Sequence, residues 1–216
     1  NRITTTLGRG GSDFTAAILA AAVGANQLEI WTDVSGMMTA DPRLVQNVKV
    51  IPHISYKEAM ELCHFGAKVI YPPTIQPVMS KGIPLWVKNT FAPDDEGTLI
   101  ENKLSPTGNI VRGISSMGKI SMILLEGSGM IGIPGFSKRL FEALSKEKIN
   151  VILITQSSSE HSICVAIDEI NAAKAKAIVD EEFSHEREVK RVEPLNVENG
   201  LAIVALVGDN MKNHPG

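Results

Sequence analysis

Apolar positions along this chain fall into two different rhythms. Up to about residue 90, short apolar runs alternate with helical stretches. An alanine-rich helix over 16–23 follows a glycine turn, and 27–31 reads as a short buried strand. Residues 35–53, with Gly36, Pro42 and Pro52, read as loop. A helix over 56–65 closes at Gly66, another covers 74–80, and 83–88 is a strand. This alternation predicts a largely parallel sheet with helices on its faces. Ligands of such sheets gather at the carboxyl ends of the strands, where Thr32 and Asp33 fall. From Ala92-Pro93-Asp94-Asp95 to about Asn109 the pattern lapses into a linker. Beyond it come strand 120–126, helix 136–146, strands 151–156 and 162–167, helix 172–183 and strand 189–194. That order is β-α-β-β-α-β, a ferredoxin-like unit. A further strand over 201–207 then begins.

The loop Gly127-Ser128-Gly129-Met130-Ile131-Gly132-Ile133-Pro134-Gly135 returns as Gly208-Asp209-Asn210-Met211-Lys212-Asn213-His214-Pro215-Gly216, with Gly, Met, Pro and Gly in register. The chain thus reads as one ferredoxin-like unit and the opening of a second. The first copy also matches G-x-G-x-x-G, a dinucleotide pattern. No acid ends the next strand at Thr155-Gln156, the second copy breaks the glycines, and Pro134 delays the helix. These features weigh against a dinucleotide.

The 216 residues carry 21 basic and 24 acidic side chains, for a net charge of -3. That balance gives no electrostatic footprint for nucleic acid or an anionic membrane. The apolar stretch 16–25 is too short to span a bilayer, and no secretory signal pattern opens the chain. Cys63 and Cys164, both within apolar patterns, read as buried free thiols of a reducing, cytoplasmic setting. His64 beside Cys63 reads as packing, since adjacent helix positions face apart. The start at Asn1-Arg2-Ile3 and the stop at His214-Pro215-Gly216 read as a piece of something longer.

Thr4-Thr5-Thr6-Leu7-Gly8-Arg9-Gly10-Gly11-Ser12-Asp13 is the most informative stretch. Its glycines permit close backbone approach, Ser12 suits a helix N-cap, and Asp13 suits the first turn. Free N–H groups there attract anions, and Arg9 adds a planar fork for carboxylate or phosphate. The plainer reading is a capped surface turn.

Together with Trp31-Thr32-Asp33-Val34, Asp41-Pro42-Arg43 and Phe65-Gly66-Ala67-Lys68, the stretch resembles aspartate kinases in order and spacing. The ferredoxin-like units resemble their ACT regulatory domains, and the linker looks like that of bifunctional aspartate kinase–homoserine dehydrogenases. The resemblance implies an α/β amino-acid kinase fold in its C-terminal, nucleotide-binding part over 1–108. A first ACT domain over 109–197 and the start of a second over 198–216 would follow. The implied reaction moves the γ-phosphoryl of ATP, with Mg²⁺ bound through the nucleotide, to the side-chain carboxylate of L-aspartate. That carboxylate is ionised at neutral pH and needs no general base. By resemblance Arg9, Gly10, Gly11, Ser12 and Asp13 hold aspartate. Thr32, Asp33, Met38 and Arg43 meet the nucleotide, Met38 standing where relatives carry an aromatic residue. Lys68 reaches the β/γ-phosphates, and Arg9, Asp13 and Lys68 are the catalytic set.

In the regulatory half, Met130, Ile133, Gly135, Phe136, Ser137 and Gln156 are the candidate effector site. Threonine is favoured over lysine because 151–159 holds no acid for an ammonium. Pairing through ACT units implies a homo-oligomer. The kinase's N-terminal lysine and glycine-rich segment is absent from these residues, so the chain alone is expected to be inactive. The alternative is a non-catalytic amino-acid sensor.

Overall fold

The computed structural model describes residues 7–8, 10–67, 69–102, 111–156 and 161–208. Two compact units form, Asn1–Ser116 with Val204–Gly216, and Met117–Ile203.

The first unit opens with helix α1 (Gly11–Val23) and strand β1 (Leu28–Thr32). Strand β2 (His53–Ser55) leads straight into helix α2 (Tyr56–His64). The Ser55 hydroxyl accepts the Glu58 N–H while the Glu58 carboxylate accepts the Ser55 N–H, a reciprocal cap that fixes where α2 starts. A 3-10 turn, Pro72–Thr74, runs into helix α3 (Ile75–Lys81), followed by strands β3 (Leu85–Asn89) and β4 (Thr98–Glu101). The sheet order is β1-β3-β4-β2. β1 lies parallel to β3 and β2 parallel to β4, while β3 and β4 are antiparallel. Ala17 and Ala20 of α1, Ile30, Leu85, Val87 and Ile100 share its core. Two strands correct the sequence reading. β2 falls at the end of the expected loop, and β4 within the expected linker.

Strands β5 (Gly113–Glu126) and β8 (Asn196–Val207) each contribute residues to both units. Between them lie helix α4 (Phe136–Lys146), strands β6 (Val151–Gln156) and β7 (Ser162–Asp168), and helices α5 (Ala172–Glu182) and α6 (Ser184–Glu188). The order β6-β7-β5-β8 is that of a ferredoxin-like sheet. Alternate residues Ile123 and Leu125 of β5, and Ile163, Val165 and Ile167 of β7, meet Leu140, Leu144, Ala175 and Val179 from the helices. The fourth strand is Asn196–Val207, not 189–194; α6 ends at Glu188, a turn and irregular chain occupy 189–194, and 201–207 is the far end of this same strand.

Both cysteines are free. Cys63 is buried, and desolvation pushes its thiol up to about 11. Cys164 is only half-buried, which corrects the expectation for it, because its side chain leaves the helix-covered face of β7. Among the described residues no helix is long and apolar enough to cross a membrane.

Candidate functional site

Gly10 caps α1 from a left-handed conformation, φ 75. A Cβ there would stand 2.5 Å from the Cβ of Tyr71, so conformation and space both demand glycine. α1 therefore starts at Gly11, and Ser12 is not its N-cap as expected. The reason is that Gly10 bends the chain early enough for its carbonyl to accept the Phe14 N–H at 3.2 Å. Ser12 sits inside the first turn, its hydroxyl donating to Asp13 Oδ1 at 3.3 Å. Asp13 lies where the helix dipole favours an anion. Phe14 meets Tyr71 edge-on, with ring centroids 6.4 Å apart. Gly10, Gly11, Ser12 and Asp13 thus stay together beside Tyr71. Arg9 and Lys68 lie outside the described residues.

A cleft of about 430 Å³ opens beyond the carboxyl end of β1. Asp33, Met38 and Arg43 line it, together with Gly66, Ala67 and Val69, the described neighbours of Lys68. Thr32 stands behind this lining; its hydroxyl donates to Asp33 Oδ1 at 3.1 Å and its carbonyl accepts the Thr90 N–H at 2.8 Å.

Two further groups set the walls. The buried Thr98 hydroxyl donates to the Ile51 carbonyl at 2.7 Å and accepts the Met37 N–H at 2.8 Å. It therefore ties both sides of the 37–51 loop that carries Met38 and Arg43. On the opposite wall, Ser115 of β5 donates to the Leu62 carbonyl at 2.9 Å. No motif marks Ser115 or Leu62, since one is a buried hydroxyl and the other contributes a main-chain oxygen.

Arg43 is held by a two-pronged contact with Asp41, Nε to Oδ1 at 3.0 Å and Nη2 to Oδ2 at 2.6 Å. The same contact holds the Asp41 carboxyl below the usual carboxylate range. The Arg43 side chain is 76% exposed, so the pair orients more than it stabilises. Asp41→Asn is expected to change stability by less than about 0.5 kcal/mol. On the expectation that Arg43 meets a nucleotide, the substitution should weaken binding of an ATP analogue severalfold, read by fluorescence titration beside a melting curve. Among the described residues no group of three or more His, Cys, Asp or Glu side chains forms a metal cage.

The second unit has its own cleft, of about 350 Å³. Met130, Ile133, Gly135, Phe136, Ser137 and Gln156 all line it, and Ile163 of β7 joins them. One wall is the first turn of α4, whose cap residue Gly135 offers no side chain to its N–H groups.

α4 is clasped from behind. Arg139 donates through Nε to Glu182 Oε1 at 2.8 Å and also bonds the Glu186 carboxylate. The Arg139 hydrogen bond holds the Glu186 carboxyl below its ordinary value, against a smaller opposing push from burial. A depressed folded value means the clasp is complete above the ordinary 4.5 and is lost as pH falls through the lowered value. Calorimetry from about pH 5 to 3 should therefore show Arg139→Met flattening this part of the acid destabilisation.

Amino acid kinase family sequences match residues 1–89 and ACT domains match residues 123–183. The bifunctional aspartokinase/homoserine dehydrogenase of Haemophilus influenzae is 45% identical over 210 residues, covering 97% of this chain and 26% of that protein. Escherichia coli aspartokinase III, solved with aspartate and ADP in its R-state, is 37% identical with a TM-score of 0.78. That match covers 98% of this chain and 46% of the other. The same enzyme with lysine and aspartate, in its T-state, gives 37% and 0.76 over 96% of this chain and 45% of that one. The chain thus spans about a quarter of the bifunctional relative and under half of the E. coli enzyme.

Proposed function

Because this chain belongs to the aspartokinase family, we propose that its first unit faces the nucleotide in an ATP-dependent aspartate kinase and its second binds a feedback amino acid. The observation that carries this reading is the cleft that joins Asp33, Met38 and Arg43 to the residues flanking Lys68. On the proposed boundaries, 1–108 is kinase and a first ACT domain follows from 109, its fourth strand carrying it past the expected limit of 197 to Val207 before a second begins.

The chemistry follows from charge. The acceptor carboxylate of aspartate is already an anion, so the obstacle is repulsion between it and the triphosphate rather than removal of a proton. Cations and N–H groups that meet the charge before it develops lower that obstacle. Asp33 and Met38 take the base and ribose, and Arg43, turned by Asp41, takes phosphate oxygens. Lys68 follows the transferring phosphoryl group as a compact charge. Arg9, with Gly10 to Ser12, holds the substrate acid group while Asp13 meets its ammonium. Magnesium arrives with ATP and neutralises its phosphates. The product is an acyl phosphate, which hydroxylamine traps.

In the second unit the α4 first turn takes an effector carboxylate, Met130 and Ile133 wall its side chain, and Gln156 bonds its polar group. Among the described residues no acid lines this cleft, which favours threonine over lysine. Association of the ACT units into a homo-oligomer supplies the linkage, with effector shifting how units pack.

The test uses the complete protein that contains this chain. ATP-dependent hydroxamate formation from L-aspartate, suppressed by L-threonine, supports the reading. Absence of phosphotransfer with retained threonine binding would replace it with the sensor alternative.

A further inference from the structure

We infer that Arg139, Glu186 and Arg191 form a rear support for the effector cleft, setting its geometry and thereby its affinity. This rests on the reading of that cleft as an amino-acid site. The loop 127–135 has two sides. One lines the effector cleft, and the other faces a recess of about 150 Å³ that includes Arg139, Glu186 and Arg191. Ile133, Pro134, Gly135 and Phe136 line both, so a single layer of chain separates the two.

The loop is seated on residues 191–192 with no room for side chains. Gly129 N–H donates to the Arg191 carbonyl at 2.9 Å. A Cβ on Gly129 would stand 2.5 Å from Arg191 Cβ, and one on Gly127 would stand 2.6 Å from Val192 Cα. The first two glycines of the dinucleotide-like pattern thus answer to a neighbouring segment, while Gly132 answers to its own positive φ of 67. That backbone is fixed in turn, because the Glu186 carbonyl accepts the N–H groups of Arg191 at 2.8 Å and Val192 at 3.3 Å.

The Glu186 side chain closes the circuit through Arg139. The guanidinium bonds Glu186, donates to Glu182 Oε1 at 2.8 Å and to the Glu182 carbonyl at 2.6 Å, and lies 4.4 Å over the Phe183 ring. Phe183 stacks on Phe136, with centroids 5.6 Å apart and planes at 6°. Phe136 opens α4 and lines the cleft. A closed path therefore runs from loop to Arg191, Glu186, Arg139 and Phe136, and back to the loop. Arg139 and Glu186 are positioning residues, acting on the effector through Phe136 and through the loop that Gly129 anchors from behind.

Arg139→Met keeps an unbranched stem over Phe183 and removes the fork. In the complete protein that contains this chain it should raise the L-threonine dissociation constant about tenfold by calorimetric titration. Amides of 129–137 should exchange faster with deuterium while those of β5 and β7 keep their protection. Arg139→Lys should recover part of both effects. If Arg139→Met fails to fold, Glu186→Gln carries the same expectations at smaller size. Affinity within twofold of wild type, or unchanged exchange at 129–137, overturns the inference. So does an affinity loss that merely follows a global loss of protection. Wild type binding neither threonine nor lysine refutes the cleft's reading and with it the affinity claim, while the exchange experiment still judges the support by itself.

Discussion

Gly10→Ala should lower the stability of the first unit by about 3 kcal/mol and abolish the phosphotransfer proposed for the complete protein. The first part has two sources. A left-handed φ costs an L residue about 1–2 kcal/mol. The new methyl also meets Tyr71 Cβ at 2.5 Å, an overpacking that costs about 1–3 kcal/mol. Tyr71 is pinned by Phe14 at its ring edge, so the backbone turn must yield. A displaced turn moves the α1 first turn, with Ser12 and Asp13, away from the segment after Val69. Urea unfolding and the hydroxamate assay check both parts. An alanine variant with unchanged stability and full turnover would show that the turn is not held against Tyr71.

Thr98→Val is the second large effect. Valine fills the same volume but leaves the Met37 N–H and the Ile51 carbonyl without their partner in a buried place. Each orphaned group costs about 1–3 kcal/mol, giving a loss of about 3 kcal/mol. Thr98→Ser keeps the hydroxyl and removes one methyl, at a cost of about 1 kcal/mol. The two variants separate packing from hydrogen bonding. ATP-analogue affinity should fall with valine and survive with serine, because the hydroxyl spans the loop that carries Met38 and Arg43. Chemical denaturation and fluorescence titration of both proteins provide the measurement.

What was readable in the sequence depended on how much of each element's logic is local. α4 and β6 appear over the ranges their apolar spacing predicts, since each has one clean buried face or a bounded run. β2 and β4 hold 3 and 4 residues, too few to show a period, and Pro52 and the Asp94–Gly97 stretch disguise them as loop. Ser55-Tyr56-Lys57-Glu58 carries the S-x-x-E capping signature, so the start of α2 was legible even where β2 was not. Asn199-Gly200 imitates a hairpin turn and hides the first half of β8, so that only 201–207 reads as strand, although the strand runs through Gly200 at φ 74. That Asp33, Met38 and Arg43 share one cleft was readable through motif spacing. Thr98, Ser115 and Leu62 were not, because their contribution is a contact with chain 47 to 61 residues away.

The unequal settings of the two thiols have a practical side. Cys63 is sealed within the first core and its thiol is pushed up to about 11, so little thiolate exists there at neutral pH. Cys164 is half-buried on β7, on the side of the sheet away from Ile163 and the second cleft, and is the more reachable sulfur. An alkylating fluorophore added to these 216 residues thus has one favoured point of attachment, on the face of the second sheet that the helices leave uncovered, and no engineered handle is needed to watch that face.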